Sequence, residues 1–249
     1  MEWVKDFYDK QYHYTKVDQP KPGIDTYHTE LVMKLESLAN QPLSSLLELG
    51  AGSGEVAMAA AQKGYDVTAI ELVPALVEKM NETAKMYSYK GTFTSICGDF
   101  YNVDFNEKFD LVYYIDGFGV GNDEDQRRLL KRINSWLTPN GCALIDIYTP
   151  WHWSKHAGQT MEFRSFSRKY DYDFSGARML DTWWTASTEP ITQSLRCYAP
   201  ADLYMLLEGT GLKIADVVPG GSMNYETWEF KEHAPLDEAM SYMVKLVKG

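Results

Sequence analysis

The sequence predicts an α/β fold: a mostly parallel, twisted sheet with helices on both faces, interrupted by an inserted antiparallel or loop-built cap. Three observations predict it. Apolar runs of strand length alternate with helix-period segments through residue 150, the alternation fails over residues 151–197, and it resumes from residue 198. Residues 1–150 and 198–249 are therefore read as one domain, with 151–197 inserted into it. A chain of 249 residues is long enough for one large domain carrying such an insertion.

The elements follow in order. Ile24, Tyr27, Leu31, Leu35 and Leu38 recur at helical spacing, and "NQPLS" breaks that helix. "SLLELG" is strand-like, "EVAMAAAQKG" is a helix ending at Gly64, and "YDVTAIEL" is the next strand. "PALVEKMNETAKMY" is a helix with Pro74 in its first turn. "TFTSICGDF" and "FDLVYYID" supply two more strands. "DEDQRRLLKRINSWL" starts with acidic residues and carries Leu129, Leu130, Ile133 and Leu137 on one face; "TPNG" stops it and "CALIDIY" is a buried strand. Aromatic and charged residues mix in "WHWSKHAG", "FSRKYDYDF" and "MLDTWWTA", a pattern of short antiparallel strands and loops. Pro200 opens the helix "PADLYMLLEGTG", "LKIADVV" is a strand, and "YETWEF" is expected to be the final strand. Leu236, Met240, Met243 and Val247 predict a terminal helix.

Composition narrows the function. The formal charge of −11 opposes nonspecific attraction to phosphate, which argues against nucleic acid as a partner. Cys97, Cys142 and Cys197 are odd in number and have no CxxC spacing, so neither a disulfide framework nor a metal site is expected. The first residues, "MEWVKDFYDKQYHY", lack the pattern of a secretory signal, and no apolar run approaches the ~20 residues that span a bilayer. A cytoplasmic protein without a membrane partner, monomeric or homodimeric, is the expectation.

"LLELGAGSGEVAM", at residues 46–58, is the most informative stretch. Glycine-rich strand-to-helix turns bind nucleotides at the carboxyl edge of an open sheet, because glycine permits positive φ and close approach of a ligand to the main chain. Gly50, Gly52 and Gly54 spell G-x-G-x-G, and Glu55 stands where the dinucleotide pattern G-x-G-x-x-G/A wants a small residue. A negative Glu55 would repel a pyrophosphate, and Glu48 suits a cationic ligand. A plain tight turn is the bland alternative. Glu71 ends the second strand 21 residues after Gly50, near the offset at which an acid meets ribose hydroxyls. Asp99 could accept from an exocyclic amine and Phe100 could stack on a purine, although both are equally ordinary loop and core residues.

In order and spacing, "LLELGAGSGEVAM", "VTAIEL", "CGDF" and "FDLVYYID" resemble the Rossmann-like class I S-adenosylmethionine-dependent methyltransferases of small-molecule type. The resemblance covers residues 24–150, and the elements after 198 are consistent with it. It implies S-adenosylmethionine as cofactor, with Glu48, Gly50, Ala51, Gly52 and Gly54 around its methionine portion. Glu71 and Leu72 would then lie at the ribose, Asp99 and Phe100 at the adenine, and Asp116 and Gly117 between cofactor and acceptor. A nicotinamide-dependent oxidoreductase and a non-catalytic S-adenosylmethionine-binding module are the rival readings.

The acceptor is expected to be a small molecule methylated on nitrogen or oxygen. "IDGFGVG" lacks the Asn/Asp-Pro-Pro-aromatic tetrapeptide of DNA amine methylation, and no cysteine follows a proline as cytosine carbon-5 methylation requires. Trp151, Trp153, Trp183, Trp184, Tyr170 and Tyr172 could wall an acceptor pocket or simply form a core for the cap. His152 and His156 are the candidate bases, with a structural histidine as the alternative for each and for His28. Tyr8, Tyr12 and Tyr14 mark a terminal segment that serves either as a lid or as an aromatic anchor.

Overall fold

The structure, a computed structural model, describes residues 2–15 and 23–249. Helix α1 spans Glu2–Thr15 and α2 spans Thr26–Ala39. Asp25 caps α2 reciprocally: its carboxylate accepts the His28 N–H at 3.1 Å, and His28 Nδ1 accepts the Asp25 N–H at 3.2 Å. His28 is thus a capping residue. Then come β1 (Ser45–Leu49), α3 (Glu55–Lys63), β2 (Asp66–Glu71), α4 (Pro74–Ala84), β3 (Phe93–Cys97), β4 (Phe109–Tyr114), α5 (Asp123–Trp136) and β5 (Leu137–Tyr148). Asn122 and Asp125 cap α5, which buries Leu129, Leu130 and Ile133. "TPNG" falls inside β5, where pairing jumps from Phe109–Leu137 to Leu111–Cys142. Leu137 therefore begins a strand instead of ending the helix face.

Helix α6 spans Pro150–Lys155, and β6 (Thr160–Glu162), β7 (Ser167–Asp173), β8 (Arg178–Trp184) and β9 (Ile191–Arg196) form an antiparallel sheet in that order. "WHWSK" is thus helical where a strand or loop was expected, because Pro150 at its first turn supplies a helical φ at no hydrogen-bond cost. The inner face of this sheet buries Met161, Tyr170, Met179 and Leu195 with Trp153 of α6 and Val4 of α1. Phe7 of α1 packs with Phe166 and Trp183. Trp153, Tyr170 and Trp183 accordingly pack into the core beneath this antiparallel sheet, and α1 rests on it.

The chain returns through α7 (Pro200–Leu206), β10 (Leu212–Pro219), the hairpin of β11 (Ser222–Asn224) and β12 (Glu229–Lys231), and β13 (Ser241–Lys248). Two expectations fail here. "YETWEF" is not a strand of the main sheet: over 225–228 it is a turn, in which the Asn224 side chain accepts the Glu226 N–H at 2.9 Å and Trp228 has φ 59°, and only Glu229 and Phe230 enter a strand, β12 of the two-stranded hairpin. The terminal segment is β13, not a helix. It lies between β5 and β10, antiparallel to both, and buries the consecutive Tyr242, Met243 and Val244, as a strand covered on both faces does. The main sheet runs β10-β13-β5-β4-β1-β2-β3, with β5, β4, β1, β2 and β3 parallel. Strand order reverses at β1, which opens a crevice between the carboxyl ends of β1 and β4.

Candidate active site

A cavity of about 270 Å³ occupies that crevice. Gly50 and Gly52 line it from the turn after β1, Glu71 and Leu72 from the end of β2, Asp99 and Phe100 after β3, and Asp116 and Gly117 after β4. Val4, Tyr8 and Gln11 of α1 close it from above. The i, i+4, i+7 spacing of these three along a helix is the signal that could have placed α1 over the site. Tyr8 was anticipated as lid or anchor; Tyr12 and Tyr14 do not line the cavity. Glu48, Ala51 and Gly54 also lie outside its lining, although they build the turn that borders it.

Two of the three glycines have different reasons to be there. Gly54 has φ 79°, and a Cβ on it would meet Met80 Cγ at 2.5 Å, so packing alone excludes a side chain. Gly52 has φ 57°, yet no protein atom lies within 4 Å of where its Cβ would stand. Its missing side chain keeps space open for a ligand. The Ala51 N–H ties the turn to β2 through Ile70 O at 2.9 Å.

Glu71 holds the turn and faces the cavity at once. Its Oε2 accepts the Gly52 N–H and its Oε1 the Val73 N–H, each at 2.8 Å. Burial raises its pKa, and those backbone N–H groups oppose the rise. The Leu72 N–H acts on the same carboxylate, and of its four acceptor sites one remains for a hydroxyl donor. Glu48 lies on the other side of the sheet, 5% exposed, with the Tyr113 hydroxyl donating to it at 3.1 Å. Burial pushes it up to about 8 despite that bond and so favours its neutral form. Asp99 Oδ1 accepts the Tyr101 N–H at 2.8 Å, and Phe100 packs edge-on against Tyr114 with centroids 5.6 Å apart.

Asp116 has φ 55° and lines the cavity, with the Tyr148 hydroxyl donating to its Oδ1. Its side chain is open to the cavity, and the surrounding protein still desolvates it. That desolvation first, then the charges of Asp146 and Asp181, push it up to about 7 against the pull of Arg168. Arg168 itself is held by Asp181 through two bonds of 2.7 Å, Gln193 donates to Asp181 at 2.9 Å, and the Tyr8 hydroxyl donates to Gln193 at 3.1 Å. One polar chain thus connects the cap core to α1.

His152 and His156 are not brought to the cavity. His152 is 4% exposed and packs on Trp153, and burial together with His156 lowers its pKa to about 4. His156 is bonded through Nδ1 to the His152 carbonyl at 2.7 Å, and both rings stand against Tyr225. Trp151, Trp184 and Tyr172 do not line the cavity either.

The donor set fits a cationic nucleoside ligand. Among the described residues, the lining carries Glu71, Asp99 and Asp116 and no lysine, arginine or histidine. Such a wall favours a sulfonium and an ammonium and disfavours a pyrophosphate. No group of three His, Cys, Asp or Glu among the described residues is placed to hold a metal ion. No described helix is long and apolar enough to cross a membrane.

Comparison with known proteins agrees with this geometry. Residues 46–141 match a family model described as a methyltransferase domain. A ubiquinone biosynthesis O-methyltransferase of Rickettsia akari (strain Hartford) is 23% identical over 190 residues, which are 75% of this chain and 66% of that relative. An S-adenosylmethionine-dependent methyltransferase structure from Clostridium acetobutylicum ATCC 824 is similar over 97% of this chain and 99% of its own, with TM-score 0.71 and 17% identity. The CcbJ methyltransferase of Streptomyces caelestis is similar over 93% of this chain and 94% of its own, with TM-score 0.72 and 17% identity. The glycine turn, the acid that ends β2 and the strand order agree with these matches: residues 46–141 carry a methyltransferase domain, and the chain has the fold of the S-adenosylmethionine-dependent methyltransferases it resembles.

Proposed function

We propose that the protein transfers the methyl group of S-adenosylmethionine to a nitrogen or oxygen of a small-molecule acceptor. The observation that carries this reading is the single cavity in which the open turn at Gly52, Glu71, the Asp99–Phe100 turn and Asp116 meet. Bound there, the cofactor supplies a methyl group already activated by its positive sulfur. The chain's own tasks are to align the acceptor, exclude water and receive a proton. Glu71 accepts from a ribose hydroxyl, Phe100 and Asp99 border the adenine, and the backbone from Gly50 to Gly54 takes the methionine portion. Helix α1 excludes water, since Val4, Tyr8 and Gln11 cover the cavity. Residues 151–197 select the acceptor by holding α1 and by presenting Arg168 and Asp181 toward Asp116.

Calorimetric titration with S-adenosylmethionine and with a nicotinamide cofactor tests the cavity, and methyl-labelled cofactor with a metabolite panel tests transfer. Binding of the first cofactor with labelled product is expected. Binding without transfer to any metabolite would leave a non-catalytic binding module, and preference for the nicotinamide would reject the assignment of the cavity.

A further inference from the structure

We infer that the acceptor is an amine and that Asp116 is the catalytic residue that holds its ammonium form and takes its proton, an inference resting on the proposed methyl transfer. Three features of the cavity carry it. Glu71 and Asp99 are tied to backbone N–H groups, whereas Asp116 is engaged only at Oδ1, by Tyr148. Its Oδ2 receives no hydrogen bond among the described residues. The cation nearest in effect, Arg168, is already clamped by Asp181, so an anionic acceptor finds no partner in the cavity.

The chemistry then separates amines from hydroxyls. An ammonium that loses its proton becomes neutral, which a wall of carboxylates tolerates. A hydroxyl that gives its proton to Asp116 becomes an anion left beside Glu71, in a lining without a lysine, arginine or histidine among the described residues. The protein's own phenol at the cavity reports that penalty: Tyr8 is pushed far above its ordinary pKa by burial and then by the charges of Asp116, Glu71 and Asp181. The step balances as follows. The ammonium nitrogen gives a proton to Asp116 Oδ2, its lone pair forms the new C–N bond, and the C–S bond breaks with its electron pair left on sulfur. The neutral thioether and a methylated ammonium result, and Asp116 returns its proton to water.

Asp116 must be ionised to act, so activity falls as pH drops through its pKa. The groups facing it are Tyr148 and Asp146 on β5, Tyr114 on β4, Arg168 and Tyr170 on β7, and Asp181 on β8. Tyr8 on α1 and Tyr27 on α2 complete the surround. Of these only Arg168 favours the ionised form by charge, and the Tyr148 hydroxyl favours it by hydrogen bonding.

The test uses the full chain, methyl-labelled S-adenosylmethionine, and sets of primary and secondary amines paired with alcohols and carboxylates of the same carbon skeleton. Label is expected on nitrogen alone. Asp116→Asn should lower kcat/KM for the amine about 100-fold, the lower range for losing a general base, with the cofactor Kd changed less than about threefold. Tyr148→Phe, which removes the bond to the ionised carboxylate, should move the acid limb of the pH profile upward. Label on oxygen or carbon, no labelled amine although the cofactor binds, wild-type turnover by folded Asp116→Asn, or an unmoved limb in Tyr148→Phe would each overturn the inference. Failure of wild-type protein to bind S-adenosylmethionine would instead overturn the methyl-transfer reading beneath it.

Discussion

Replacing Glu71 by alanine removes two things that the structure joins in one side chain. The carboxylate accepts the Gly52 and Val73 N–H groups at 2.8 Å each, and it lines the cavity beside the proposed ribose position. Water in the cavity can replace the bond to Gly52, which is partly accessible, but Val73 is fully buried. Stranding that one N–H costs about 1–3 kcal/mol of stability. Losing a hydrogen bond from ribose to a charged acceptor costs about 1.5–3 kcal/mol of binding, or a roughly 10- to 150-fold rise in cofactor Kd. Urea unfolding reads the first number and calorimetric titration with S-adenosylmethionine reads the second, on the same preparation. A folded Glu71→Ala protein with wild-type Kd would place the ribose elsewhere. Unchanged stability would show that the carboxylate does not hold the turn.

Gly52→Val should abolish cofactor binding in protein that still folds, its side chain entering open cavity and its φ of 57° costing about 1–3 kcal/mol of backbone strain; Gly54→Val should damage the fold more, since its Cβ also meets Met80 Cγ at 2.5 Å. Circular dichroism and titration on both variants separate the two, and a Gly52→Val protein that binds normally would remove the glycine turn from the site. Gln193→Leu should loosen α1 by cutting the chain from Tyr8 to Asp181, with a net loss of about 0.5–1.5 kcal/mol per bond; faster hydrogen exchange confined to residues 2–15 is the expected result, and unchanged exchange there counts against the polar chain. Glu48→Gln tests the raised carboxyl. A folded-state pKa of about 8 gives stability that is complete below the ordinary value of 4.5 and is lost as pH rises toward 8. Glutamine imitates the neutral form at every pH, so the variant should gain on wild type by on the order of 3 kcal/mol between pH 5 and pH 8 in urea unfolding. A pH-independent gap would mean that Glu48 is ionised in the fold.

The parallel half of the fold and most of the cavity wall were legible because their signals are local. A strand must end, a glycine turn must follow it, and an acid must close the next strand, so Gly50, Gly52 and Glu71 could be named from spacing and Asp99 from its place after the third strand; Asp116 came from the family resemblance, and the structure brings all five to one cavity. The terminal strand was not legible. Over eight residues a buried strand and a buried helix share an apolar composition, and only the slot between β5 and β10 decides between them. Glu48 illustrates a second limit: its position beside the turn is plain in the sequence, but its side of the sheet, and hence its protonation, follows from packing against Tyr113.

Sequence alone determined the α/β class, the glycine turn and the identity of the carboxylates, since these depend on residue type and short-range order. Only the tertiary structure decided which groups share the cavity. His152 and His156 have the right chemistry for a base, yet α6 packs them against Tyr225 and Trp153, while the turn after β4 delivers Asp116 to the cavity. Side chains distant in sequence meet through the docking of α1 and the cap, which bury Phe7 against Trp183 and bring Tyr8 to Gln193 across 185 positions. No local pattern encodes that meeting, because its driving force is burial of apolar surface, and burial rewards any complementary pair of faces without naming the partner.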